Sequence, residues 1–489
     1  MPERIVIVGN GVAGIEAALT VRAREPSWDI TIVSEESDHF FSRTALMWVA
    51  TGQLSHRCIE PYERDLYDRM SFRRVRARAV GLDLDARELR LAGELPPLPY
   101  DRLLLACGSR PRPGPWPGST LDGVGHFVTH QDLQWLEEEL HGGPGLRGGP
   151  PRPDAHLGAS TDESPYRFRR SLRQQRGGPP QRPAVIGGGL IGIEAVEVMH
   201  AAGLHPRFFI REEWFWTVAL DAWESRWIAE RMGEQGVEVL VDHDVLSLDG
   251  DAHVTAVSTD HGTFETDLVV VAIGVVPNTG WLRGSGLALD ERGGGVLVDE
   301  RLRAQPIDAG DSEDPTDLGV FAAGDCAAVR WFDGSVRPEQ LWYTARDQGR
   351  VAGRGLLGDT ARYGRGPWYN SAKLFDIEYT TAGLVNMNVA GEANWRFEEQ
   401  GPVRSTSRVV VADGRVVGFN FLGRRWDHSV LLRWIDERRD LRWVLDHLNE
   451  AGFDTELVPP LRIPAEAKGA PLQGPTPSGV PGPIPPPVG

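Results

Sequence analysis

Cysteine is scarce in this sequence: Cys58, Cys107 and Cys326 are the three among 489 residues. No two stand close enough for a C-x-x-C pair, and no zinc-ligand spacing occurs. So few thiols suit a reducing compartment. Long apolar runs are missing too. None reaches the roughly 18 residues a membrane helix needs, so no membrane span is expected. Positive charge is in deficit, with 52 Lys and Arg against 69 Asp and Glu and a formal net charge of -17. A broad nucleic-acid surface would be basic and is therefore excluded. A strongly acidic protein partner is disfavoured, except at a local basic patch. The first expected strand opens at Arg4, which leaves no signal peptide to expect ahead of it. A cytoplasmic protein is the expectation. At 489 residues the chain exceeds one core, and about two to four domains are expected.

What is present is a strand, a glycine turn and a helix, at residues 4–19, RIVIVGNGVAGIEAAL. Apolar β-formers at 5–8 run into Gly9, Gly11 and Gly14. Gly9 permits the tight turn, Gly11 lets the backbone approach a pyrophosphate, and Gly14 lets the helix pack on the strand. The free N–H groups at the helix start face phosphate charge. A second expected strand, 30–34, ends in Glu35, where a carboxylate accepts from ribose hydroxyls. The pattern returns at 184–198, AVIGGGLIGIEAVEV, with Gly187, Gly189 and Gly192. Two such cradles imply two bound dinucleotides, one of which must relay electrons. A flavin takes hydride from a nicotinamide and passes on one or two electrons.

Strand two of the second unit, 206–210, precedes Arg211, Glu212 and Glu213. A carboxylate there binds the 2′-hydroxyl of NADH and repels the extra phosphate of NADPH, whereas Arg211 could accept it. NADH is the favoured donor. Glu194 and Glu197 lie three apart on one helix face. In a flavin–nicotinamide crevice Glu194 would orient the carboxamide; the alternative is a capping or surface glutamate.

Ser42 and Thr44 are expected to cap the apolar segment from Ala45. Arg43 either meets flavin or phosphate at a pocket mouth or is a solvated arginine. Residues 75–105 read as β-rich, with alternation at 80–84 and 88–91. Cys107 reads as a small buried hydrophobe after the strand at 103–106. A helix is expected over 131–140. Residues 141–182, rich in Gly, Pro, Arg and Ser, read as a mobile insertion. Its basic cluster, 167–176, either docks an acidic partner or a phosphate or is simply solvated.

A buried strand is expected over 267–273, ending in Gly274. Another at 320–323 runs into Gly324 and Asp325, where an aspartate either bonds a ribitol hydroxyl or makes a turn or cap. Cys326 reads as packing. A helix over 341–358 could aim its N-terminus at the flavin. From Gly366 an α+β unit is expected, with a hairpin at Asp413–Gly414 and helices near 428–438 and 441–449. From Pro464 the tail reads as disordered.

These motifs resemble the FAD-dependent pyridine nucleotide–disulfide oxidoreductase superfamily. The resemblance is to the branch of ferredoxin and rubredoxin reductases, NADH oxidases and the flavin part of nitrite reductase. The residues that carry it are the two glycine loops, Glu35, LLLACGSRP at 103–111, AIGVVPNT at 272–279 and GVFAAGDCA at 319–327. It implies an α/β fold of two Rossmann-like domains with a C-terminal interface domain. The FAD domain would be 1–118 and 287–365, the NAD(P) domain 119–286, and the C-terminal dimer domain 366–463. By that carry-over Gly9, Gly11, Val12, Ala13, Gly14, Glu35, Arg43, Val80, Ala106, Gly324 and Asp325 contact FAD. Gly187, Gly189, Leu190, Ile191, Gly192, Glu194 and Glu212 serve the nicotinamide cofactor, with Gly274 near it.

The superfamily's C-x-x-x-x-C pair is absent, and Arg43 stands near the place of the cysteine found in single-cysteine oxidases. A lysine common in the ferredoxin-reductase-like branch falls about at Met47. The reading is an NADH-dependent FAD oxidoreductase without a thiol relay. Its acceptor is an iron–sulfur or rubredoxin-like protein, a quinone or oxygen. Two alternatives stand beside it: a disulfide or peroxide reductase using Cys58, and a non-enzymatic NADH-sensing flavoprotein.

Overall fold

The computed structural model describes residues 3–142, 173, 177–307, 318–331, 334–387, 391–399, 404–453 and 456–474. The apolar run at 5–8 is buried on both faces, as a central parallel strand requires. Arg4–Val8 sits mid-sheet between Asp29–Ser34 and Arg102–Leu105; Phe72–Arg76 and Val320–Ala322 form the edges. Every pairing is parallel. The turn into the helix Val12–Arg24 is made at Gly9, with φ +117°. A Cβ there would stand 1.9 Å from the Ala106 carbonyl oxygen.

The second unit repeats this plan. Pro183–Ile186 lies between Arg207–Phe209 and Leu268–Val271, with Glu238–Leu240 and Val124–Gly125 outside, again all parallel. Gly187, φ +121°, turns the chain into the helix Leu190–Ala201 against the Ala272 carbonyl. Ser109–Pro111 and Val275–Pro277, which leave the two sheets, pair antiparallel. This is an α/β fold of Rossmann-like units.

A five-stranded antiparallel sheet follows, running Tyr369–Leu374, Ile377–Gly383, Arg415–Leu422, Ser405–Ala412 and Ala393–Glu399 in spatial order. Asp413 and Gly414, φ +51° and +72°, make the expected hairpin. The helices His428–Asp436 and Leu441–His447 pack on it through Leu431, Trp434, Val444 and Leu445. Arg408 on this sheet reaches Glu224 at 3.0 and 2.9 Å, both fully buried, so an ion pair ties the sheet to the helix Ala222–Glu234.

Two expectations change. Ser42 and Thr44 cap nothing: their hydroxyls bond each other at 3.1 Å, and a 3-10 turn, Arg43–Ala45, precedes the helix Leu46–Ala50. The tail from Pro464 does not begin as disordered chain. Ala465–Lys468 is a short helix, and the Ala467 carbonyl accepts from the Trp395 indole at 2.9 Å, which anchors it on the sheet. Residues 475–489 lie outside the described residues. So do 143–172 and 174–176, which hold most of the expected insertion and basic cluster. From that cluster Arg173 is described. Its guanidinium caps the helix His130–His141 by donating to the Glu139 and Leu140 carbonyls at 3.2 and 2.6 Å.

Candidate functional site

The strands of the first sheet end at one cavity of about 1170 Å³. Gly9, Ser34, Ala106 and Ala323 line it from four strand ends. Three helices present their first turns to it, through Val12 and Ala13, Leu190 and Ile191, and Trp342 and Tyr343. Those helices start at Gly11, Gly189 and Leu341, and none of the three N-caps has a side-chain hydrogen bond. Four other helix starts are capped by side chains, Thr129 on Asp132 N, Asp221 on Trp223 N and Glu224 N, Asp427 on Ser429 N and Asp440 on Trp443 N, whereas the short helices Leu46–Ala50, Leu66–Arg69 and Ala465–Lys468 have no side-chain cap. The three longer helices that meet the cavity therefore present first-turn N–H groups that no N-cap side chain satisfies. Free N–H groups at a helix start favour an anion.

Charged side chains are placed around these starts. The Ser109 hydroxyl donates to Asp325 Oδ2 at 2.7 Å, while burial pushes the Asp325 carboxyl upward. The Gly324 N–H donates to Gln348 Oε1 at 2.7 Å, which fixes the turn that carries Asp325. Arg43 grips both carboxylate oxygens of Glu36 at 2.9 and 2.5 Å and donates to the Val128 carbonyl at 2.6 Å. Glu36 also accepts from the His130 N–H at 3.0 Å. On the second-unit wall, burial and the charge of Glu197 push Glu194 up to about 8. Lys373 donates to Glu197 at 2.6 Å and lies 5.1 Å over the Trp48 ring.

The cavity gathers Gly9, Gly11, Val12, Ala13, Glu35, Arg43, Val80, Ala106, Leu190, Ile191, Glu194, Gly324 and Asp325. Gly14 is behind the loop, where a Cβ would stand 2.1 Å from the Gly9 carbonyl oxygen. Gly192 makes the matching approach to Gly187, also 2.1 Å. Gly187, Gly189, Gly192 and Gly274 are not among the lining residues. Gly274 accepts from Arg112 N at 2.9 Å beside the paired crossover strands. Glu212 follows the strand Arg207–Phe209, outside the cavity, and holds Arg211 at 2.8 Å.

Cys58 is exposed, bonds the Ser55 hydroxyl at 3.1 Å and is not part of the lining. Cys107, read from sequence as simple packing, is in the cavity wall. Sequence reasoning missed Ser109, Trp281, Lys373 and Glu36. Glu36 was adjacent to the carboxylate singled out and carried no pattern of its own. Lys373 comes from the antiparallel sheet, which no motif linked to the cradles. Among the described residues no group of three or more His, Cys, Asp or Glu is placed to hold a metal ion. No described helix is long and apolar enough to cross a membrane.

Comparison with known proteins is consistent with this geometry. The family model described as pyridine nucleotide-disulphide oxidoreductase matches residues 3–349. A relative in Aromatoleum evansii, the epsilon subunit of NADH-dependent phenylglyoxylate dehydrogenase, is 26% identical over 442 residues, covering 90% of this chain and 92% of its own. The ferredoxin–NAD(+) reductase subunit of a benzene 1,2-dioxygenase system in Pseudomonas putida is 24% identical, covering 87% and 88%. A solved NAD-dependent persulfide reductase from A. fulgidus superposes with a TM-score of 0.75 at 20% identity, covering 91% of this chain and 78% of that one. The last likeness is one of fold.

Proposed function

The chain belongs to the pyridine nucleotide-disulphide oxidoreductase family, and from that premise we propose that it moves electrons from NADH through FAD to a small electron-transfer protein. It is an FAD-dependent NAD(P)H oxidoreductase; the choice of NADH, the acceptor and the residue roles are the proposal. The observation that carries it is the set of three uncapped helix starts converging on one cavity. FAD supplies hydride acceptance and release of electrons singly or in pairs.

The residues present fit FAD. A Cβ at Gly11 would meet nothing within 4 Å, so a phosphate can approach that backbone. The N–H groups after Gly11 bind the phosphates, Glu35 accepts from a ribose hydroxyl, and Asp325 holds a ribitol hydroxyl. Val80 and Ala106 pack along the cofactor and Arg43, fixed by Glu36, guards the mouth. The second glycine turn receives the NADH pyrophosphate. Glu212 accepts from the adenosine ribose, and by occupying Arg211 it removes the cation that a 2′-phosphate would need. Glu194 holds its proton at neutral pH and donates to the nicotinamide carboxamide. Leu190 and Ile191 keep water from the crevice.

On this reading FAD is held by 1–118 and 287–365 and NADH by 119–286. Residues 366–463 form a domain through which two copies pair. Cys58 stands outside the lining, which argues against it as a relay. The acceptor reading draws on the ferredoxin–NAD(+) reductase subunit. Anaerobic mixing of the purified protein with NADH tests the whole. Bleaching of the bound flavin within a turnover time is expected, followed by reoxidation by a ferredoxin faster than by quinone or oxygen. Flavin that stays yellow in NADH overturns the proposal.

A further inference from the structure

The second glycine turn is soft by composition: Gly187, Gly188 and Gly189 are consecutive, so the peptides between them rotate at little steric cost. The Gly188 carbonyl and the Gly189 N–H belong to one planar trans peptide and point opposite ways. Whatever grips the carbonyl therefore aims the N–H. The grip comes from Trp216, whose backbone N–H donates to the Gly188 carbonyl at 3.0 Å. Gly189 is the N-cap of the helix Leu190–Ala201, so the peptide held is the one that opens the helix.

Trp216 needs support from outside its own unit to do this. Its φ is +46°, a left-handed conformation that a bulky side chain rarely adopts. The support is the C-terminal antiparallel sheet. The Tyr379 ring packs 4.9 Å from that of Trp216, and both residues are buried. The residues after Trp216 are held by their carbonyls. Asn386 Nδ2 donates to the Thr217 and Leu220 carbonyls at 3.2 and 2.9 Å, and Arg408 Nη2 donates to the Ala219 carbonyl at 2.7 Å. Arg408 Nη1 also donates to Asn386 Oδ1 at 2.8 Å, which orients the amide with its NH2 group on the loop. Asn386 lies just past the strand Ile377–Gly383, itself at φ +55°.

We propose that Asn386 is a positioning residue for dinucleotide binding: through residues 217–220 and Trp216 it holds the Gly188–Gly189 peptide in the orientation that presents an N–H to the pyrophosphate of NADH. Arg408 fixes Asn386, Asn386 fixes the loop, and Trp216 fixes the turn. The inference rests on the reading of this turn as the NADH site. Asn386, Trp216 and Gly188 are not among the residues that line the cavity. Their effect therefore falls on holding the pyrophosphate and not on hydride transfer.

Two consequences set this role apart from that of Glu212. NADH and NADPH carry the same pyrophosphate, so loss of the clamp weakens both alike, whereas Glu212 separates them. A hydride donor without a pyrophosphate is indifferent to the clamp. The C-terminal sheet thus contributes to a dinucleotide site that stands on another unit of the chain.

The test compares the FAD-loaded parent with two variants. Asn386→Asp keeps the shape and the acceptor for Arg408 but loses both donors, and Asn386→Gly suits the positive φ and removes the side chain. Binding of ADP-ribose, which carries the pyrophosphate and no nicotinamide, is measured by calorimetry. In both variants it should weaken about tenfold, and KM for NADH should rise by the same factor with kcat unchanged. The NADH-to-NADPH ratio of kcat/KM, the flavin content and the rate of flavin reduction by 1-benzyl-1,4-dihydronicotinamide should all match the parent. Unchanged ADP-ribose affinity in both variants, with a parent that binds it, overturns this inference and leaves the NADH reading standing. A loss that extends to the benzyl donor or to flavin content shows a merely structural role and also overturns it. A parent that binds neither ADP-ribose nor NADH overturns the NADH reading and this inference with it.

Discussion

Glu194 shows how one carboxyl reports its surroundings. Burial and the neighbouring Glu197 charge raise it to about 8, while the unfolded chain ionises near the ordinary 4.5. Between those values the folded protein keeps a proton that the unfolded chain has lost. Stability from this group is therefore full below about 4.5 and falls as pH rises to about 8, by about 1.4 kcal/mol per unit. Glu194→Gln should flatten that slope and gain most over the parent at pH 8, read from urea unfolding at pH 5, 6.5 and 8. Equal slopes would show that the site is wetter than the packing implies.

Gly11→Asp separates folding from cofactor binding. Its Cβ has open space, so the fold should survive, with an unchanged far-ultraviolet spectrum. A carboxylate at that helix start would oppose phosphate and weaken FAD binding by about tenfold, or about 1.4 kcal/mol, read from flavin retained per protein. Glu212→Ser frees Arg211 from its 2.8 Å pair and should move the NADH-to-NADPH ratio of kcat/KM toward NADPH, again by about tenfold. An unmoved ratio would put the ribose determinant elsewhere.

At the scale of elements, the buried Arg408–Glu224 pair is the exposed flank of nothing: it is enclosed between a sheet and a helix. Burial pushes Glu224 upward while Arg408 and Asn420 hydrogen-bond it and oppose that rise. Arg408→Ala strands a buried carboxylate and should cost about 3–5 kcal/mol in urea unfolding. Replacing both partners, Arg408→Met with Glu224→Leu, should cost clearly less, because no charge is then left uncompensated. If the double variant is as unstable as the single one, packing rather than charge holds the sheet to the helix.

Across the whole molecule, the cavity draws its walls from residue 8 to residue 425. A ligand that fills it therefore couples distant segments. FAD at about 100 times its dissociation constant should add about 2.7 kcal/mol to unfolding, so stripping the flavin should lower the urea midpoint measurably. An unchanged midpoint would mean that FAD binds folded and unfolded chain alike.

The sequence alone determined the two cradles, because strand, turn and helix lie within a few residues and each glycine answers a local steric need. Gly9 is at positive φ against the Ala106 carbonyl, and Gly187 repeats this against Ala272. The hairpin at Asp413–Gly414 was legible for the same reason, since two backbone conformations set it. Only the tertiary structure decided which neighbours share a wall. Lys373 reaches Glu197, Glu36 grips Arg43, and Ala467 anchors the near end of the tail. Those contacts join residues that no shared local motif links. They follow from strand order and sheet packing, which local pattern does not encode.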